Sequence, residues 1–223
     1  IDCIERFKPT PVTIGAVWFS NTRLPGRELK EDDLWQVDEV GVMEDEDYDF
    51  MIDNGWQAFS LKMLSRLNYT PEEMKLNMDL TRIYNKKLQD NGIVTSTWAM
   101  GQPVEAIWGA RGMLKFLLDL RRRPEKIKAA LEAIFPGYLE EMRKQIRATE
   151  TKLVYFASAR SGNDFLSPKD FENLLFCYFK KTVDMLAEEG CKVILHLDSN
   201  CDGILPYLKE LPRKTCIFNP DGM

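Results

Sequence analysis

Lys192-Val193-Ile194-Leu195-His196-Leu197-Asp198-Ser199-Asn200-Cys201 is the stretch that decides how this chain is read. Val193 to Leu197 is aliphatic or β-branched apart from His196, and a helix-like segment stopping at Gly190 precedes it. A run of this kind reads as a parallel strand with both faces covered. Its C-terminal end carries His196, Asp198 and Cys201. In α/β folds ligands and catalytic groups gather at that end of a strand. His196 is also the only histidine among the 223 residues.

Working outward, the same grammar repeats. Ile93–Met100, Leu153–Ala159 and Thr215–Phe218 read as further strands, and Thr13–Phe19 as an earlier one. Between them lie helical stretches, Val104–Leu120 and Pro124–Thr149, with Pro136-Gly137 expected to break or kink the second. Thr70-Pro71-Glu72-Glu73 has the threonine, proline and glutamate of a capping box, opening a helix that Asn91-Gly92 ends. Ser167-Pro168 opens another, expected to run to Glu189. Further helical stretches are expected around Asp32–Val40, from near Glu44, over Trp56–Leu67 and over Ile204–Leu211. Strands alternating with helices imply a parallel sheet with right-handed crossovers. No repeat, low-complexity tract or linker interrupts it, so residues 1–223 read as a single domain.

The net charge is −5, which argues against nucleic acid as a main partner. The one basic run, Arg121-Arg122-Arg123, precedes Pro124 and reads as a cationic helix C-terminus. The acidic run Glu44–Asp49 reads as a solvated helix start. No run of 18 apolar residues is present and no signal-peptide pattern opens the chain, so no membrane partner is expected. Five cysteines without a regular framework point to a reducing cytoplasm. The chain opens on Ile1 and closes soon after an apolar strand, and both ends read as cut.

In a parallel sheet the loops after Ala99, Ser158, Asp198 and Asn219 share one rim. They would bring together Gln102, Arg160, Asn163, Asp164, His196, Asp198, Cys201, Asn219 and Asp221. His196 and Asp198, two apart on a strand, point to the same side. They read either as a pair of metal ligands with Cys201 as a softer third, or as a histidine oriented by a carboxylate. No glycine-rich nucleotide motif and no Gly-x-Ser-x-Gly elbow is present. Trp18, Phe19, Trp98 and Trp108 would line a pocket or pack the core.

Ser167-Pro168-Lys169-Asp170-Phe171, Tyr178-Phe179-Lys180-Lys181, Glu189-Gly190 and Val193-Ile194-Leu195-His196 together resemble the uroporphyrinogen decarboxylase superfamily. That superfamily includes cobalamin-dependent methyltransferases delivering methyl groups to coenzyme M and related acceptors. Gln102-Pro103 to Gly112, Phe116 to Leu120 and Asn219-Pro220 extend the resemblance over about Ile93–Met223. It implies a (β/α)8 TIM barrel of class α/β, of which this chain would be the middle, perhaps strands two to six; a complete barrel takes about 250 residues.

The methyltransferase branch resembles His-x-Cys-Gly-Asn at the decisive strand, where histidine and cysteine bind zinc. Here Asp198 stands in the cysteine's place, an oxygen donor that zinc accepts. The resemblance therefore implies His196 and Asp198 as zinc ligands, with the usual third ligand, a later cysteine, beyond Met223 and Cys201 as a nearby soft donor, and it implies a corrinoid carried by a partner protein. It places Arg160, Asn163, Asp164 and Asn219 against that cofactor, beside a small-molecule substrate. The decarboxylase branch uses an N-terminal arginine cluster; Arg23 and Arg27 stand in a different context. A decarboxylase or a non-catalytic binding module of the same fold are the other readings.

Overall fold

In the computed structural model the described residues are 12–14, 41–100, 103–158, 162, 164–198 and 200–220. Five parallel strands form one sheet in chain order: β1 (Val12–Ile14), β2 (Thr95–Met100), β3 (Leu153–Ser158), β4 (Lys192–Leu197) and β5 (Cys216–Pro220). The expected adjacency of the last three is therefore observed. The helices are α1 (Asp47–Arg66), α2 (Pro71–Asp90), α3 (Pro103–Arg111), α4 (Met113–Arg122), α5 (Pro124–Thr149), α6 (Pro168–Asp170), α7 (Cys177–Glu188) and α8 (Leu205–Leu208). Contacts divide the chain into two compact units, one of residues 1–17, 75–105 and 139–223, the other of 18–74 and 106–138.

The first unit holds the sheet. Side chains alternate along β3 and β4, so Val154, Phe156, Ser158, Val193, Leu195 and Leu197 are buried while Tyr155, Ala157, Ile194 and His196 are half-buried. The buried face packs on α7, where Phe156 meets Phe179 edge-on with centroids 5.5 Å apart. Ser167 caps α6 by accepting the Asp170 N–H at 3.2 Å. The helix it opens is not α-helical throughout: Phe171–Phe176 forms a π-helical turn before α7 begins. That turn buries Phe171, Leu174, Leu175 and Phe176 together, a broader apolar face than 3.6-residue periodicity supplies.

In α2 the buried positions are Thr81, Asn85 and Leu88. The Asn85 amide is fully buried, and neither its oxygen nor its nitrogen has a hydrogen-bond partner among the described residues. Burying an unpaired amide costs about 1–3 kcal/mol. Asn85→Leu, close in volume, should therefore raise the unfolding free energy by about 1–2 kcal/mol in denaturant titrations. A loss of stability would mean that the amide is partnered in solution.

The second unit is helical. Its core includes Tyr48, Met51, Phe59, Phe116, Ile127, Leu131 and Ile134, with Trp108 stacked on Phe116 at 4.8 Å. Trp108 is thus a core residue rather than a pocket wall. The expected helix Val104–Leu120 is two, because Gly112 takes φ 80° between α3 and α4. Conversely, α5 runs through Pro136. Gly137 serves a different need from a break: a Cβ there would lie 2.9 Å from that of Trp56, whose ring meets Tyr138 edge-on at 5.3 Å. Gly41 is required by close approach as well, since a Cβ would fall 2.1 Å from the Arg111 carbonyl oxygen.

Members of both charge runs are ion-paired, besides marking a helix start and a helix end. Arg111 is 5% exposed and Asp119 3%. Arg111 Nε donates to Asp119 at 2.7 Å, its Nη1 donates to the Met43 carbonyl at 3.0 Å, and its Nη2 reaches Asp45. Arg123 bridges Asp45 and Asp119, and the Tyr48 hydroxyl donates to Asp119 at 3.0 Å. The basic run ends α4 as expected, with Arg123 as its C-cap, and the Arg123 side chain also reaches Asp45 of the acidic run and Asp119. Arg123 and Arg111 hold the Asp45 carboxyl below its ordinary pKa. Asp47, 1% exposed, takes Lys62 and Arg66.

Candidate functional site

The strand register sets the site. Ala157, His196 and Asn219 lie side by side on β3, β4 and β5, near the C-terminal ends of those strands. Tyr155, two residues before Ala157, shares their face, and its ring lies 5.3 Å from the imidazole, tilted 36°. That face is the less buried one, so His196 stays 22% exposed beside Asp198 at 37%.

The imidazole is held at both nitrogens. Nε2 lies 2.5 Å from Asp198 Oδ1. Nδ1 lies 2.8 Å from Asn219 Oδ1 and 3.2 Å from the Asn219 carbonyl oxygen. Asn219, expected against a cofactor, is also the partner of His196. Asp164 accepts the Asn200 N–H at 2.9 Å, and Asn200 Oδ1 in turn accepts the Asp202 N–H at 2.9 Å. This folds the loop after β4 back on itself. Cys201, at the start of the turn, is fully buried. Burial first, then Asp202 and Asp164, push its thiol above the ordinary pKa, the opposite of what a thiolate ligand needs. Arg160, Asn163, Gln102 and Asp221 lie outside the described residues, as do Arg23, Arg27, Trp18 and Phe19.

Zinc fits this arrangement poorly. Two donors on one tetrahedral zinc sit about 3.3 Å apart, whereas His196 and Asp198 are 2.5 Å apart and bonded directly to each other. Among the described residues no three of His, Cys, Asp and Glu converge on a metal position. Of the residues expected against a corrinoid, Asp164 accepts the Asn200 N–H and Asn219 Oδ1 faces His196, while Arg160 and Asn163 lie outside the described residues. Behind β4, Phe171, Leu175, Phe179, Leu197, Ile204 and Leu208 line an apolar cavity of about 10 Å³, no more than water-sized.

Sequence reasoning placed His196 and Asp198 on one side and missed Tyr155 beside them. The signal was the same two-residue period, read along β3 as well as β4. It also missed Ser158, buried at the end of β3, whose hydroxyl donates to the buried Glu105 at 3.0 Å.

The model of the uroporphyrinogen decarboxylase (URO-D) family matches residues 56–220, most of the chain. A methyltransferase from Methanosarcina mazei is similar in structure, with TM-score 0.51 and 14% identity over 62% of this chain and 41% of that one. The chain thus spans about two fifths of that structure's length, and the likeness speaks to the fold alone. An AP endonuclease of family 2 from Brucella melitensis aligns with TM-score 0.37 and 14% identity, over 62% of this chain and 52% of that one. No curated protein matches in sequence. Among the described residues no helix is long and apolar enough to cross a membrane.

Proposed function

Because the chain belongs to the uroporphyrinogen decarboxylase family, we propose that it serves the methyl-transfer branch, moving a methyl group between a corrinoid carrier protein and a small molecule. The observation that carries this reading is the character of the described rim. The loops after β3 and β4 present Asp164, Asp198, Asn200 and Asp202, with no arginine or lysine among their described residues. Arg160 of the loop after β3 lies outside the described residues; the described carboxylates and amide accept hydrogen bonds, whereas capture of a polycarboxylate takes paired guanidinium groups. The described rim suits a small acceptor that donates a hydrogen bond.

The full-length protein, given methylcobalamin and a panel of thiol and amine acceptors, should consume the methyl–cobalt absorbance in an acceptor-dependent way. Carboxyl loss from uroporphyrinogen without demethylation would replace this reading by the decarboxylase one. Inactivity in both assays would favour a non-catalytic binding module of the same fold.

A further inference from the structure

Helix α2 is amphipathic in the reverse sense. Its buried positions are Thr81, Asn85 and Leu88. Leu76, Leu80 and Ile83, four and three residues apart, line up along one face as a ridge. Asn85 lies about two and a half turns from Leu76 at 3.6 residues per turn, on the opposite side. Leu76 is 49% exposed and Ile83 55%, with Leu80 half-buried between them. A helix that only covers its own fold turns such a ridge inward. A ridge turned outward marks a surface that another protein covers.

The charges along α2 say which protein. Glu72 and Glu73 stand in its first turn, Lys86 and Lys87 near its end. We propose that α2 is the contact for a second copy of this chain, laid antiparallel on it, ridge on ridge. Leu80 then meets Leu80 at the two-fold axis, and Leu76 of each copy meets Ile83 of the other. Glu72 and Lys86 lie on the same flank of the ridge, each roughly 10 Å from Leu80 at 1.5 Å per residue. Glu72 of one copy thus comes level with Lys86 of the other, once on each side of the axis. A parallel pair would set like charges level instead. Within one chain Lys86 reaches Asp90 at 3.1 Å but stays 75% exposed, an ion pair that another carboxylate can replace. One helix per copy falls short of the roughly 800 Å² a side of a standard interface, so the dimer is weak and concentration-dependent. The inference rests on α2 alone and stands whether or not the chain transfers methyl groups.

The test is sedimentation velocity of the full-length protein over a wide range of concentration. Wild type should pass from monomer to dimer as concentration rises. Leu76→Glu combined with Ile83→Glu should weaken dimerisation by more than about tenfold, because it sets carboxylates into the apolar contact. The melting temperature of the monomer should hold, since both side chains are exposed. Glu72→Lys and Lys86→Glu, made singly, should each weaken dimerisation about tenfold, and the two together should return it to within about twofold of wild type. A wild type that stays monomeric at every concentration would overturn the proposal, as would a dimer indifferent to the ridge substitutions. So would a charge swap that fails to restore association. If another segment of the same chain covers the ridge, wild type stays monomeric and the ridge substitutions lower the melting temperature, which overturns the proposal as well.

Discussion

Arg111→Met should lower the unfolding free energy of the full-length protein by about 3–5 kcal/mol. Arg111 and Asp119 are nearly inaccessible, and the arginine also donates to the Met43 carbonyl and reaches Asp45. Removing the guanidinium leaves a buried carboxylate with only the half-buried Arg123 and the Tyr48 hydroxyl. The loss would thus come mostly from stranding a charge, not from the worth of the pair itself. Arg111→Met combined with Asp119→Leu should recover most of it, because apolar replacement of a buried pair is often neutral. Urea titrations of the two variants make the comparison; equal losses would refute the stranded-charge account.

Acid should weaken the same unit through Asp47. Burial raises that carboxyl's pKa, but Lys62, Arg66 and the Glu44 N–H together outweigh it and hold the group below its ordinary value. A depressed folded pKa stabilises fully above the unfolded value, near 4. The contribution fades as pH falls through the folded value. Unfolding free energy measured downward from pH 5 should decline, and less steeply in Asp47→Asn.

Phe156→Ala is the second large effect, about 3–5 kcal/mol. The ring is fully buried, rests against Phe179, and sits in register with Leu195 on β4. Deleting it opens a cavity under the two strands that carry Tyr155 and His196. Phe156→Leu should cost clearly less, since most of the volume remains. A thermal melt of both variants checks the order, and equal losses would indicate that the site collapses around the gap.

Particular residues show what was legible in advance. Lys192–Leu197 and Leu153–Ser158 match the expected strands within a residue because parallel strands covered by helices write long apolar runs. The capping box also reads directly: Glu73 accepts the Thr70 N–H at 2.8 Å, and Thr70 accepts that of Glu73 at 3.2 Å. The misses share a different cause. Gly112, at φ 80°, divides an expected single helix, whereas the helix expected over Pro124–Thr149 continues through Pro136. The π turn at Phe171–Phe176 interrupts the helix expected from Ser167 to Glu189, and no local propensity announces it. At the site, the two-residue period placed His196 beside Asp198. The role of Asn219 depended on strand pairing across 23 residues, which only the register supplies.

The strand order equals the chain order throughout the sheet. During synthesis each strand therefore meets a neighbour that has already left the ribosome, and none waits for a later segment to insert between two earlier ones. The sheet can grow by addition at a single edge, like a wall laid course by course. A chain ending at Gly190 and released from the ribosome should already protect the β2–β3 amides from exchange, although it lacks His196.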